Sequence, residues 1–157
     1  MEQMTMQFPE WTRVAEVELI YKSKVRASER PKITCSKDAY KVLMETWDGN
    51  KIEFIEQFKV LLLNRGNRVL GIYEVSTGGI TGTVADIRLI FAAALKSNTV
   101  ALTLCHNHPS ANLKPSRADD QLTAKIHEAG KLLDIQVLDH LIISKDGYYS
   151  YADEGVL

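Results

Sequence analysis

Two histidines one residue apart, His106 and His108, are followed by a seven-residue gap and then by Ser116 and Asp119 in an S-x-x-D pattern. The apolar run Val100 to Leu104 leads into this stretch, and Leu122, Ile126, Ala129 and Leu133 follow it at helical spacing. Alternation and periodicity of these kinds mark a buried strand and an amphipathic helix. The chain must therefore fold so that a strand runs out through His106 and His108 and a helix starts close behind. Everything else in the sequence has to supply a scaffold for that junction.

The surrounding patterns interleave strands and helices. Ala15 to Val25 alternates, with Val17, Leu19, Tyr21 and Val25 on one side, and reads as a half-buried strand. Ala27 to Thr34, which holds Pro31, reads as a loop. Ser36 is placed to cap a helix with Asp38 in its first turn and Ala39, Val42, Leu43 and Trp47 on its buried face, ended by Asp48-Gly49-Asn50. Lys51 to Glu56 connects this helix to the apolar run Phe58 to Leu63. Asn64 to Asn67 then turns the chain into a second run, Arg68 to Val75, which predicts a β-hairpin. Ser76 to Thr83 is a glycine-rich loop, mobile or tightly turned. Asp86 caps a helix bearing Ile87, Ile90, Phe91, Ala94 and Leu95. After the central stretch, Ile135 to Ser144 is a strand, Lys145-Asp146-Gly147 a turn and Tyr148 to Tyr151 an edge strand. The expected fold class is α/β, one domain with a mixed sheet and helices packed on it. Residues 1–13 are expected to be a flexible segment and residues 14–157 the folded domain.

A chain of 157 residues with 45% hydrophobic and 25% charged residues can build this core without disulfides. Its two cysteines, Cys35 and Cys105, form no C-x-x-C, so a reducing cytoplasm is the expected compartment. Met1 to Pro9 has neither the cationic region nor the apolar core of a secretory leader, and no apolar run is long enough to span a bilayer. A formal net charge of −1 argues against a whole-protein field for nucleic acid or an anionic membrane. Lys59, Arg65, Arg68 and Arg88 form a local basic patch or are solvated surface charges.

The chemistry of the H-x-H and S-x-x-D residues suits a divalent metal. Zinc takes imidazole nitrogen and carboxylate oxygen, and catalytic sites use three protein ligands plus water. Residues i and i+2 of a strand share a face, so His106 and His108 converge if the strand reaches them, and Asp119 is the third candidate ligand. The bland alternatives are two polar histidines in a loop and a capping box made by Ser116 and Asp119. Both readings of S-x-x-D hold together, since a cap at Ser116 orients the turn that carries Asp119. Metal-assisted hydrolysis also needs a general base. Neither H-E-x-x-H nor the deaminase signature is present, so the base lies elsewhere, and spacing leaves Glu53, Glu56, Glu74 and Asp139 open.

The run His106-Asn107-His108-Pro109-Ser110 with Pro115-Ser116-Arg117-Ala118-Asp119 resembles the JAMM motif of JAB/MPN metalloproteases, and within them the bacterial RadC-like branch. Glu56-Gln57-Phe58, Gly78 to Thr83, Arg88 to Phe91 and Asp139-His140 agree with it, so the resemblance runs from about Asp38 to the C-terminus. It implies a three-layer α/β/α fold of the cytidine-deaminase-like kind. It also implies zinc bound by His106, His108 and Asp119, with Ser116 stabilising the oxyanion of a tetrahedral intermediate. The base is then a glutamate just before a core strand, which is Glu56, with Glu53 as the fallback. The implied activity is zinc-dependent cleavage of a peptide or isopeptide bond in a peptide or protein substrate. Where the RadC-like motif usually has glycine after Pro-Ser, this chain has Ala111.

Two other readings compete with the hydrolase. One is a DNA-repair-associated factor acting on or near nucleic acid, although the helix-hairpin-helix segment usual before this domain finds no match in the N-terminal stretch. The other is a non-catalytic partner-binding module with a vestigial site. Asp139 and His140 read more readily as polar residues closing an edge of the sheet than as partners of a zinc-bound histidine. Cys105 is expected to face away from both histidines as a small buried hydrophobe.

Overall fold

The computed structural model describes Glu18 and residues 20–157. The expected flexible segment lies outside the described residues, as do Ala15 to Val17 and Leu19 of the expected first strand. Glu18 and Ile20 to Val25, the described residues of that strand, are not in a sheet, and Ile20, Tyr21 and Val25 are exposed. The loop after it is what meets the sheet. Pro31 accepts a hydrogen bond from Val69, Ile33 donates to Asn67, and Lys32 bridges Arg68. Tyr21 contributes only its hydroxyl, which donates to the Leu70 carbonyl at 2.7 Å.

Eight elements follow: α1 (Ser36–Thr46), β1 (Gln57–Leu63), β2 (Val69–Thr77), α2 (Ile87–Lys96), β3 (Ala101–Asn107), α3 (Arg117–Leu132), β4 (Gln136–Ser144) and β5 (Gly147–Ser150). The strands form one mixed sheet in the order β2-β1-β3-β4-β5. Only the β3–β4 pair is parallel, because α3 connects those two strands. The other pairs are antiparallel, including the two expected hairpins.

β1 and β3 are buried along their whole length, so the sheet needs cover on both faces. Leu61, Leu63, Cys105, Leu141 and Ile143 pack under α1 through Ala39, Leu43 and Trp47. Phe58, Val60, Leu62, Leu102, Leu104 and Val137 form a second core that includes Ile90, Phe91 and Ala94 of α2 and Ile126 of α3. This is the three-layer α/β/α arrangement. Among the described residues no helix is long and apolar enough to cross a membrane.

Local capping follows the sequence in two helices of three. Asp86 accepts from the Arg88 amide at 2.9 Å, and Ser116 begins α3 with a full capping box. The α1 cap differs. Its N-cap is Cys35, and Ser36 is already helical. The Ser36 hydroxyl donates to Asp153, while Asp38 accepts from the Thr34 amide and hydroxyl. Long-range partners at the C-terminal turn therefore claim the residue that looked like a cap. Lys59 is neither a solvated surface charge nor part of an exposed basic patch, because it is only 8% exposed. Its ammonium lies 4.3 Å from the centre of the Trp47 ring and 3.8 Å from Glu74.

Candidate metal centre

Alternation along β3 sends Leu102, Leu104 and His106 to the α3 side, and Cys105 and Asn107 to the α1 side. His106 is 1% exposed and stacks on Phe58, its partner across the β1–β3 ladder, with ring centres 5.9 Å apart. The strand ends at Asn107, so His108 is not held by the ladder. A turn holds it instead: Ala111 donates to the His108 carbonyl at 2.9 Å, and the His108 ring donates from Nδ1 to the Asn112 carbonyl at 2.5 Å. Ala111 reaches this turn with φ of 61°, in the left-handed region that glycine adopts without penalty.

Asp119 arrives from the first turn of α3. Its Oδ2 accepts from the Ser116 amide at 2.7 Å, and its own amide donates to Ser116 Oγ at 3.1 Å. The same carboxylate lies 3.2 Å from His106 Nε2 and 3.5 Å from His108 Nε2. The two Nε2 atoms are 3.0 Å apart. The capping box and the ligand cluster are thus one structure, and His106, His108 and Asp119 form a group able to hold a metal ion.

Proton bookkeeping sharpens the chemistry of that group. Thr123 spends its single hydroxyl proton on the Asp119 carbonyl at 2.6 Å. Its oxygen must therefore accept from His140 Nδ1, 2.6 Å away. His140 is fully buried, and burial with the neighbouring His106 pushes its pKa well down, so it is neutral and carries that one proton. His140 Nε2 is then an acceptor, and His106 Nδ1 donates to it at 2.8 Å. In the neutral His106, Nε2 is left bare. His108 spends its Nδ1 proton on Asn112, so its Nε2 is also bare when the ring is neutral. Two lone pairs and a carboxylate then face one another with no hydrogen to share.

Only a cation relieves that arrangement. A proton is one solution: the Asp119 hydrogen bond, against some desolvation, raises the pKa of His108. Burial works to raise the Asp119 pKa, but the neighbouring His106 and His108 rings, wherever one carries the extra proton, prevail and hold its carboxyl well below the usual carboxylate range. A divalent metal is the other solution, and a His₂Asp set of nitrogen and oxygen donors is one that zinc accepts.

The four candidate bases separate cleanly. Glu56 immediately precedes β1, and continuing the Phe58–His106 register by two residues brings it level with His108. Its carboxylate is close enough to contribute to the raised pKa of His108. Glu53 lies 3.7 Å from Lys145 instead. Glu74 accepts from the Thr77 hydroxyl and from Gln57 at 3.1 Å, away from the histidines. Asp139 faces the α1 side and accepts from Ser150 at 2.6 Å and from the His140 amide at 2.7 Å. Cys105 is fully buried with its thiol pKa pushed up by desolvation, and it faces away from the histidines as expected.

His140 departs from the edge-closing expectation, since its ring contacts the inner face of His106. The reason is a bulge: Val137 pairs with Leu102 but Asp139 pairs with Thr103, so Leu138 is an extra residue in β4. The shift turns His140 toward α3 and Asp139 away from it. Asn107 and Thr123 were not singled out from the sequence. The available signal for Asn107 was a lone amide on a strand face otherwise made of small and apolar residues.

The family model described as the RadC-like JAB domain matches residues 33–156. A UPF0758 protein of Flavobacterium johnsoniae is 49% identical over 125 residues, covering 80% of this chain and 53% of that protein. UPF0758 proteins of Porphyromonas gingivalis and Clostridium tetani are 45% and 36% identical over 65% and 84% of this chain, and 45% and 57% of their own lengths. The chain thus spans about half the length of these relatives. With the match covering the strands, the helices and the His106–His108–Asp119 group, the chain belongs to the RadC-like JAB domain family.

Proposed function

We propose that this chain is a zinc-dependent hydrolase of the JAMM type that cleaves a peptide or isopeptide bond. The observation that carries the proposal is the convergence of two imidazole nitrogens and a carboxylate, with the Glu56 carboxylate near enough to His108 to act on its pKa. Zinc, when held by His106, His108 and Asp119, supplies a Lewis acid that acidifies water and polarises a carbonyl. Glu56 takes the proton of the attacking water and returns it to the leaving amine. Ser116 Oγ accepts from the Asp119 amide, which leaves its own O–H free to donate to the developing oxyanion. The fixed tautomers of His106 and His108 keep both rings oriented through the cycle.

The test is a zinc-replete preparation offered a randomised, internally quenched peptide library and a set of lysine isopeptide conjugates. The wild type is expected to bind one zinc per chain and cleave members of the set. Glu56→Gln is expected to keep the zinc and lose turnover by about 10²–10⁴-fold. Cleavage at the wild-type rate by pure Glu56→Gln rejects the base assignment. A zinc-loaded wild type that cleaves nothing rejects the peptidase reading.

A further inference from the structure

Asn107 stands between His106 and His108 in the chain but points to the opposite face, and it is fully buried. Its side chain reaches no ligand. Nδ2 donates to the carbonyls of Ile52 at 2.7 Å and Ile55 at 2.8 Å, and Oδ1 accepts from the Gln57 amide at 2.8 Å. Both amide protons and the oxygen are therefore used, and the orientation is unambiguous, because a flipped amide would set oxygen against two carbonyls.

All three partners are main-chain groups immediately around Glu56. The segment Lys51 to Glu56 belongs to no sheet or helix, and its local main-chain bonds are turns, from Lys51 and Ile52 back to Asp48 and from Phe54 and Ile55 back to Lys51. On its other side Glu56 itself is bracketed: its amide donates to Gly79 at 3.3 Å and its carbonyl accepts from Gly78 at 2.8 Å. Gly78 cannot take a side chain there, since a Cβ would lie 2.2 Å from the Gly82 oxygen. The Gly78–Gly79 turn and Asn107 thus grip the backbone of Glu56 from two sides. Only the Asn107 grip is rooted in the strand that carries His106.

We propose that Asn107 is a positioning residue that locks the general base to the metal-ligand strand, setting the distance between Glu56 and the His106–His108 pair. The inference rests on the reading of Glu56 as the base. Losing the amide leaves two carbonyls and one N–H buried without partners, so the segment is released while the ligands keep their own supports in Asn112, His140 and the capping box.

The experiment uses the full zinc-loaded chain with Asn107→Ala and Asn107→Ser. The serine keeps a small hydroxyl that can serve only one of the three main-chain groups, so it is used where the alanine variant does not fold. Zinc affinity is expected to stay within about threefold of wild type, because no ligand support is touched. Amide exchange across Glu56 and Gln57 is expected to speed up about tenfold or more, with Leu102 to Leu104 unchanged. On whichever library peptide the wild type cleaves, kcat is expected to fall about a hundredfold with KM little changed, as for a displaced reacting group. Unchanged exchange around Glu56, or a loss of zinc affinity as large as the loss of kcat, overturns the proposal. A wild type that cleaves no peptide defeats only the hydrolase reading, since the exchange and zinc measurements still decide whether Asn107 holds the segment.

Discussion

His140 Nε2 lies 2.8 Å from His106 Nδ1, and Thr123 Oγ lies 2.6 Å from the far nitrogen of the same ring. Because Thr123 donates to the Asp119 carbonyl, the whole chain of protons runs one way and presents a bare His106 Nε2 to Asp119 and His108. Removing the acceptor at its centre should therefore be felt at the metal. His140→Leu, a substitution of similar bulk, is expected to weaken zinc binding about 10–100-fold, measured by competition with a chromophoric chelator. Affinity equal to wild type would show that His106 needs no partner to set its tautomer.

The pH dependence of zinc binding follows from His108. Its pKa is raised above 6.5, mainly by the Asp119 hydrogen bond. Metal and proton compete for the same Nε2, so affinity is expected to fall as pH drops, starting above the ordinary histidine pKa. In the metal-free protein the contribution of His108 to stability runs the opposite way. A raised folded-state pKa contributes stability that is present at low pH and lost as pH rises through the folded value. The gain in Tm on adding zinc is therefore expected to grow between pH 6 and pH 8 (about the range histidine titrates over), as read by thermal melts with and without the metal. A gain that does not change with pH would exclude His108 as a ligand.

Ala111 occupies a left-handed conformation with φ of 61°. Ala111→Gly is expected to stabilise the protein by about 1 kcal/mol, or a few degrees in Tm, since relief of backbone strain outweighs the added freedom of the unfolded chain. Zinc affinity should not fall, because the Ala111 amide still donates to His108. A lower Tm would mean that the methyl group packs better than the strain costs.

The base assignment has its own structural control in Glu53. Glu53→Gln removes the partner of an exposed Lys145, a surface pair worth about 0–1 kcal/mol. Turnover is expected to stay within about twofold of wild type under conditions where Glu56→Gln is inactive. A loss at Glu53 matching that at Glu56 would place the proton transfer in the wrong carboxylate.

Features that depend on near neighbours in the chain were readable from the sequence. The β1–β2 hairpin needs only two apolar runs and the turn at Asn64 to Asn67. The α2 cap at Asp86 and the Ser116–Asp119 capping box are contacts between residues two or three apart. The His106, His108 and Asp119 group was legible for the same reason, since one short junction supplies all three side chains. Position in space had to decide the rest. The one-residue bulge at Leu138 reverses the facing of Asp139 and His140, and no alternation count registers an extra residue in one strand. Pro31 to Ile33, not Ile20 to Val25, meets β2, because backbone hydrogen bonds to Asn67, Arg68 and Val69 were available to a segment that reads as loop. Four carboxylates had equal claims by spacing. The folded chain brought Glu56 near enough to His108 to act on its pKa, and Asn107, silent in the sequence, ties the peptides around Glu56 to β3 through three hydrogen bonds.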